Sequence, residues 1–135
     1  MIPSDEAAIA KWTVALEAEN QGTRGMLAVA YVIKNRAEGK WGSVLRACWS
    51  AKQFSCWNDL PAAGKRLGNM SPGVLADASR AVAVALSGSE PDPTKGATHY
   101  MNEELVIKTA GRLPSWRDAM QVTEKIGEHT FYKEA

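Results

Sequence analysis

The amino-acid sequence predicts an α+β fold that is mainly helical, with a buried central helix and a small antiparallel sheet near the C-terminus. Three observations predict it. Apolar residues recur at helical spacing through the first two thirds of the chain, one stretch there is apolar on every face, and short strand-like segments follow the last of these helices. A chain of 135 residues fits one domain of ordinary size, so residues 1–135 are expected to form a single domain.

Periodicity predicts the first two helices. Ser4 is a good N-cap, and the helix after it is expected to end near residues 20–22. Its apolar residues repeat at helical intervals, as in Ile9, Trp12 and Leu16. A second helix is predicted over residues 23–37. Its segment MLAVAYVI is apolar on every face, which indicates a helix that is buried at the centre of the domain.

Two more helices are predicted on either side of an irregular stretch. A short helix over residues 43–49 can begin with Ser43 as its cap. Residues 50–70 look irregular because three helix breakers interrupt them, namely Pro61, Gly64 and Gly68. Ser71 followed by Pro72 is a strong helix start, and that helix is expected to run to about Leu86.

The pattern becomes strand-like after residue 96. Residues 97–102 form one short strand candidate, and residues 121–126 and 129–132 form two more. Gly127 and Glu128 separate the last two candidates, as in a β-hairpin. These segments predict the small sheet.

Composition and motifs exclude several classes of function. Sixteen Lys and Arg against fifteen Asp and Glu give a net charge of +1, whereas nucleic-acid-binding modules usually carry a basic excess. No apolar run approaches the roughly eighteen residues of a membrane span, so no stable membrane association is expected. The opening segment MIPSDE lacks the pattern of a cleaved export signal. Phosphate-loop and zinc-helix motifs are absent from the sequence, so we expect no cofactor and no metal ion.

The two cysteines leave two interpretations open. Cys48 and Cys56 are eight residues apart and are too few for a cysteine-rich zinc site. They can form a short-loop disulfide in an oxidising compartment, or they can remain two buried thiols. The only histidines, His99 and His129, lie in strand candidates, where a structural imidazole is more common than a metal ligand.

Glu17 is the carboxylate with the clearest candidate role. It follows the apolar residues Val14, Ala15 and Leu16 near the end of the first helix. Such a residue is often a surface group at the edge of a helix. In a partly dry cleft, however, it would stay protonated near neutral pH and could donate a proton to a leaving group. Glu19 lies two residues later and points to roughly the opposite side of the helix, so the two are not expected to act as a pair.

Four blocks of sequence follow one another along nearly the whole chain. They are residues 17–36, which open with Glu-Ala-Glu-Asn-Gln, residues 53–58 (QFSCWN), residues 92–100 (DPTKGATHY) and residues 126–132 (IGEHTFY). Together they resemble the SleB-type cell wall hydrolases, a family that includes spore-cortex-lytic enzymes and related phage and bacterial proteins. The family usually has Glu-Ala-Arg-Gly-Glu at the first block. This chain keeps the first Glu as Glu17 but has Gln21 at the second, which weakens a mechanism that needs two carboxylates.

The resemblance implies a lysozyme-like catalytic domain that cleaves peptidoglycan between N-acetylmuramic acid and N-acetylglucosamine as a lytic transglycosylase. Glu17 would first donate a proton to the glycosidic oxygen. As a carboxylate it would then take the proton of the muramic acid C6 hydroxyl, which closes a 1,6-anhydro ring without consuming water. Two alternatives remain, which are a muramidase that hydrolyses the same bond and a non-catalytic glycan-binding or virion protein.

The same resemblance implies substrate-binding residues. Gln53 and Ser55 would hydrogen-bond the sugar, although Gln and Ser in loops also commonly bond to backbone. Trp57 would stack on a sugar or pack in the core. Thr98 and Tyr100 share one face of a strand, which we place toward the cleft with the Tyr100 hydroxyl near Glu17. Asn102 would continue that face, and His99 would face the body of the domain, toward His129.

The expected setting is that of a phage endolysin. Its partner would be the glycan strand of peptidoglycan, and the protein would act as a monomer. It would be made in the host cytoplasm without a signal peptide and would reach the periplasm when a holin opens the membrane.

Overall fold

A computed structural model describes residues 4–49 and 54–135, and it confirms the α+β prediction. Within those ranges the helices are α1 (Ser4–Ala18), α2 (Gly22–Glu38), α3 (Val44–Trp49), α4 (Leu60–Asn69), α5 (Pro72–Ser87) and α6 (Glu103–Ala110). The strands are β1 (His99–Met101), β2 (Met120–Ile126) and β3 (His129–Glu134). Short 3₁₀ turns cover Ser55–Trp57 and Ser115–Ala119.

Helix α2 lies at the centre of the core, as its uniformly apolar segment predicts. Both α1 and α5 pack against it, and Val29 and Val32 are fully buried. Burying an aliphatic side chain of this size is worth about 1.5–3 kcal/mol, so these contacts account for much of the stability of the helical part.

Two helices, α4 and α6, are not predicted from the sequence. Residues 60–69 form α4 although they contain two glycines and Pro61. The proline lies in the first turn, where a missing N–H costs nothing, and the Asp59 carboxylate accepts the Ala62 N–H at 3.0 Å as an N-cap. Helix α6 begins in the same way after Asn102, whose side-chain oxygen accepts the Leu105 N–H at 3.0 Å.

The sheet has the strand order β1-β3-β2, and both pairings are antiparallel. Tyr100 pairs with Phe131, and His99 pairs with Tyr132. Because neighbouring residues on a strand point to opposite faces, Tyr100 and His99 contact different parts of the molecule.

The last turn of α2 holds the loop that leads into β1. The Asn35 side-chain amide donates to Asp92 and to the Ala97 carbonyl, each at 2.9 Å, and the Arg36 Nε–H donates to the Thr98 carbonyl at 2.6 Å. Asp92 also organises the loop from within. It accepts the backbone N–H and the hydroxyl of Thr94 at 2.8 and 2.7 Å.

Asp92→Ala is expected to lower the free energy of unfolding by about 2–3 kcal/mol, because it leaves partly buried donors on α2 and on the loop without their acceptor. Urea unfolding measures the loss. Asp77→Ala is the matched control, since Asp77 is an exposed aspartate on α5, and it should change the free energy by less than about 0.5 kcal/mol. Equal losses in the two variants would contradict a structural role for the Asp92 contacts.

Candidate active site

Glu17 lies in the last turn of α1, on the side that faces the sheet. Its neighbours Leu16 and Ala18 are buried, whereas Glu17 itself is partly exposed. The Tyr100 hydroxyl on β1 donates a hydrogen bond to Glu17 Oε1. The structure thus contains the contact between Tyr100 and Glu17 that the resemblance implies, and it joins the helical part of the fold to the sheet.

Aromatic rings surround the Tyr100 side of this contact. The Tyr100 ring lies 4.7 Å from that of His129, 5.5 Å from that of Phe131 and 6.2 Å from that of Phe54, measured between centroids. Burial, and next the charge of Glu17, raises the pKa of Tyr100 well above its usual value. The hydroxyl therefore keeps its proton and can donate it in the hydrogen bond to Glu17 Oε1.

Arg36 carries a buried charge and lies behind the site. It was not predicted from the sequence to belong there. It is 3% exposed, and its guanidinium lies 4.6 Å from the Phe54 ring centroid and 5.2 Å from that of Trp41. Burial lowers the pKa of Arg36 to about 10, while the neighbouring Tyr100 and Glu17 oppose that shift. The group therefore remains charged at neutral pH. Its position three, four and seven residues after apolar Ile33, Val32 and Val29 is the signal that places it on a buried face.

A second carboxylate lies at the outer edge of the site, on the β2–β3 turn. The Gln21 side chain donates to Glu128 Oε2 at 3.4 Å and accepts the Glu128 backbone N–H at 3.2 Å. Asn102 Nδ2 donates to the same carboxylate oxygen at 3.5 Å. The contact requires a glycine at position 127, because φ there is +59° and a Cβ would lie 2.6 Å from Gln21 Oε1.

This edge borders a groove of about 380 Å³ that continues along α6. Asn102 and Glu128 line it together with Glu104 and Lys108. The groove is therefore continuous with the side chains that surround Gln21.

The remaining predicted binding residues are more dispersed. Thr98 Oγ1 lies 2.9 Å from His99 Nδ1, so its hydroxyl is engaged by its neighbour on the chain. Trp57 is half-buried, donates from Nε1 to Thr13 Oγ1 at 2.9 Å and packs against the Trp49 ring. Asn102 contributes its Oδ1 to the α6 cap and its Nδ2 to the site. Gln53 and the side chain of Ser55 lie outside the described residues.

The expected orientation of His99 toward His129 is wrong. His99 lies between the rings of Trp41 and Trp116, at centroid distances of 6.1 and 5.1 Å, whereas His129 packs on Tyr100. The reason is the alternation of the strand, which sends residues 99 and 100 to opposite faces. Burial lowers the pKa of His99 to about 4, and burial also lowers that of His129, so both rings are neutral near pH 7.

Both cysteines are free thiols in the structure. A disulfide between Cys48 and Cys56 in an oxidising compartment stays a prediction. Cys48 is buried, and burial raises the pKa of its thiol to about 11. Cys56 is half-buried, and burial raises the pKa of its thiol as well. Both thiols therefore keep their protons near pH 7.

Neither a metal cluster nor a membrane span is found within residues 4–49 and 54–135. No group of three or more His, Cys, Asp or Glu side chains there is placed to hold a metal ion. No helix there is long and apolar enough to cross a membrane.

Comparison with known proteins gives a family and a fold. A family model described as Cell Wall Hydrolase matches residues 20–132. The catalytic domain of the Bacillus cereus SleB protein is 24% identical with a TM-score of 0.74, over 98% of this chain and 93% of that one. The catalytic domain of a germination-specific lytic transglycosylase, SleB from Bacillus anthracis, is also 24% identical, with a TM-score of 0.72, over 97% and 96%. No curated protein matches the chain.

Proposed function

The chain belongs to the cell wall hydrolase family, and we propose that it cleaves the glycan strands of peptidoglycan as a lytic transglycosylase. The observation that carries the proposal is the contact between Glu17 and the Tyr100 hydroxyl at the junction of helices and sheet. Glu17 lies just ahead of the span that the family model matches, so its role depends on this geometry rather than on the match.

Glu17 would act twice in the reaction. As an acid it donates its proton to the glycosidic oxygen, and the bond between N-acetylmuramic acid and N-acetylglucosamine breaks. As a carboxylate it then takes the proton of the C6 hydroxyl, and that oxygen bonds to C1 to form the 1,6-anhydro ring. The Tyr100 hydroxyl would orient the carboxyl group through its hydrogen bond to Oε1.

The cleft offers substrate contacts on the sheet side of Glu17. Asn102 and Glu128 present an amide and a carboxylate at the groove beside the site, and both groups can bind sugar hydroxyls and acetamido groups. Gln53, Ser55, Trp57 and Thr98 remain proposed substrate-binding residues. We take the whole chain as a single catalytic domain that needs no cofactor.

A muramidase is the second candidate, and Glu128 is the observation that favours it. Hydrolysis with water normally uses a second carboxylate, about 5–5.5 Å or 6.5–9.5 Å from the acid. Gln21 stands where the family usually has its second Glu, but Gln21 holds the Glu128 carboxylate at the edge of the same site. Glu128 could therefore activate a water molecule in place of the missing residue.

We also propose the biological setting of an endolysin that acts as a monomer. The protein would accumulate in the host cytoplasm and would reach the peptidoglycan of the periplasm through a holin. Expression in a Gram-negative host is expected to cause lysis only when a holin is expressed with it. Culture turbidity measures this, and lysis without the holin would contradict the proposed release.

Glu17→Gln is expected to reduce cleavage of purified sacculi by at least about 10²–10⁴-fold while glycan binding is kept, because an amide can neither donate nor accept the proton. Release of soluble fragments measures cleavage, and co-sedimentation measures binding. Glu19→Gln is the matched control. Glu19 is exposed and forms an ion pair with Arg66 at 2.8 Å, so its loss should change the rate less than about twofold. If Glu19→Gln alone abolished cleavage, the assignment of the acid would be wrong. If neither mattered, the catalytic proposal itself would fail.

Mass spectrometry of the released fragments separates the two candidate reactions. A transglycosylase yields 1,6-anhydro ends, and Glu128→Gln should leave those ends unchanged because Glu17 does both proton transfers. A muramidase yields reducing ends, and Glu128→Gln should then remove most of the activity, since the water would lose its base. We expect anhydro ends in both the natural chain and the variant.

A further inference from the structure

We propose that the groove between α6 and the β2–β3 hairpin binds the peptide stem of peptidoglycan, the short peptide that branches from the lactyl group of each muramic acid. The inference rests on the proposed function, because only a glycan that is cleaved beside Glu17 brings a stem to this groove. It gives the lysines of the groove a role that neither the acid nor the sugar contacts require.

The groove lies on the face of the sheet that is turned away from Tyr100. Thr130 pairs with Lys125 on β2, whereas its neighbour Phe131 pairs with Tyr100. Because neighbouring residues on a strand point to opposite faces, Lys125 and Thr130 point away from the Tyr100 side. Both line the groove, and residues of α6 line it from the other side. A glycan strand at Glu17 lies on the opposite face of the sheet, so a side branch enters the groove more easily than the strand itself.

The two faces meet at the rim of the groove, where a branch can cross. Asn102 and Glu128 line this rim, and Glu128 also contacts Gln21 of the α1–α2 connection. Asn102 lies two residues after Tyr100, which is about 7 Å along a strand. The stem begins close to the reacting bond, because its lactyl group is on C3 of the muramic sugar whose C1 forms the scissile bond. Three extended residues span roughly 10 Å, which is enough to cross the rim and enter the groove.

The charges of the groove match a stem and have no counterpart in the sugars. The ammonium group of Lys125 has no ion-pair partner in the part of the chain that the structure describes. Lys108 has only a long and exposed contact with Glu104, at 3.9 Å. The sugars carry no free charge, since the muramic acid carboxyl group is used in the amide bond to the stem. The stem carries carboxylates on its second and third residues and, where the third is diaminopimelate, an ammonium group.

The order of the lining residues also suits the order of groups in a stem. Leu105 is 54% exposed and follows the rim directly, since its N–H bonds to Asn102, so it can contact the methyl group of a first alanine. Lys125 binds the carboxylate of the second residue. Lys108 lies one helical turn beyond Glu104, and the two bind the carboxylate and the ammonium of the third.

The α6 wall of the groove is fixed before any ligand arrives. Glu103 accepts a hydrogen bond from the hydroxyl of the fully buried Tyr132 and forms an ion pair with Arg117 at 3.4 Å. Glu103 is therefore already engaged and is not a stem contact. It holds the first turn of α6 against β3, so little conformational freedom is lost on binding.

The experiment measures cleavage of glycan strands that carry tripeptide stems and of the same strands after an amidase has removed the stems. For the natural chain we expect a KM about five- to tenfold lower with the stem-bearing strands and a similar kcat. Lys125→Met and Lys108→Met should each raise that KM about two- to fivefold and leave the KM for stripped strands unchanged, as the loss of one exposed ion pair implies. Lys133→Met is the matched control. Lys133 is an exposed lysine of β3 outside the groove, so its loss should change neither KM.

Binding of the stem alone gives a readout without cleavage. The probe is N-acetyl-L-alanyl-γ-D-glutamyl-meso-diaminopimelate, titrated into the isotope-labelled chain while the amide NMR shifts are followed. Shifts should change at Leu105 and Lys125, equally in the natural chain and in Glu17→Gln. Lys125→Met, or amidation of the probe's carboxyl groups, should weaken the binding at least about twofold, whereas Lys133→Met should not.

The outcomes separate this inference from the proposed function. If the natural chain cleaves neither kind of strand, the catalytic proposal fails, and the tripeptide titration alone decides whether the groove binds a stem. If both kinds of strand give the same KM, or if the lysine variants raise both KM values alike, the stem site is overturned while the catalytic proposal stands. A tripeptide that leaves the shifts of the groove unchanged overturns it as well.

Discussion

Hydrogen bonds from the last turn of α2 to the loop before β1 determine where the site can form. Asn35 and Arg36 bind three backbone or side-chain acceptors on that loop, and they do so from a helix that is itself buried in the core. These hydrogen bonds fix the position at which the loop leads into β1, and Tyr100 is the second residue of that strand. This attachment and the Gln21–Glu128 contacts at the β2–β3 turn together hold the sheet against the end of α1, where the Tyr100 hydroxyl meets Glu17.

Two parts of the fold meet at the candidate site. The helical part supplies Glu17 from α1, while β1 supplies Tyr100 and the turn between β2 and β3 supplies Glu128. Arg36 lies behind them. Its guanidinium contacts a carbonyl oxygen and two aromatic faces, and no carboxylate among the described residues forms an ion pair with it. Its charge therefore acts at longer range on the acidic groups of the site.

Local sequence signals correctly predict the long helices and the β-hairpin, because periodicity, helix caps and turn residues agree there. They missed α4, since Pro61 was read as a breaker although Asp59 caps the helix just before it, and they missed α6 although Asn102 caps it. At the site, a family resemblance pointed to Glu17 and Tyr100. Spacing places Arg36 on a buried face, but the contacts of Arg36 and Glu128 join segments far apart in the chain, and spacing within one segment does not reveal those contacts.

Gly127 has a consequence for how this cleft can evolve. The turn between β2 and β3 approaches the α1–α2 connection so closely that the end of the Gln21 side chain lies where a side chain at 127 would begin. A larger residue at 127 would strain the backbone at φ +59° and displace the Gln21 amide, so the contacts between Gln21 and Glu128 would be lost. The two loops are therefore constrained to change in concert, although more than a hundred positions separate them in the sequence. Substitutions on the exposed face of α6 can change substrate preference more easily, because this face lines the groove without closing it.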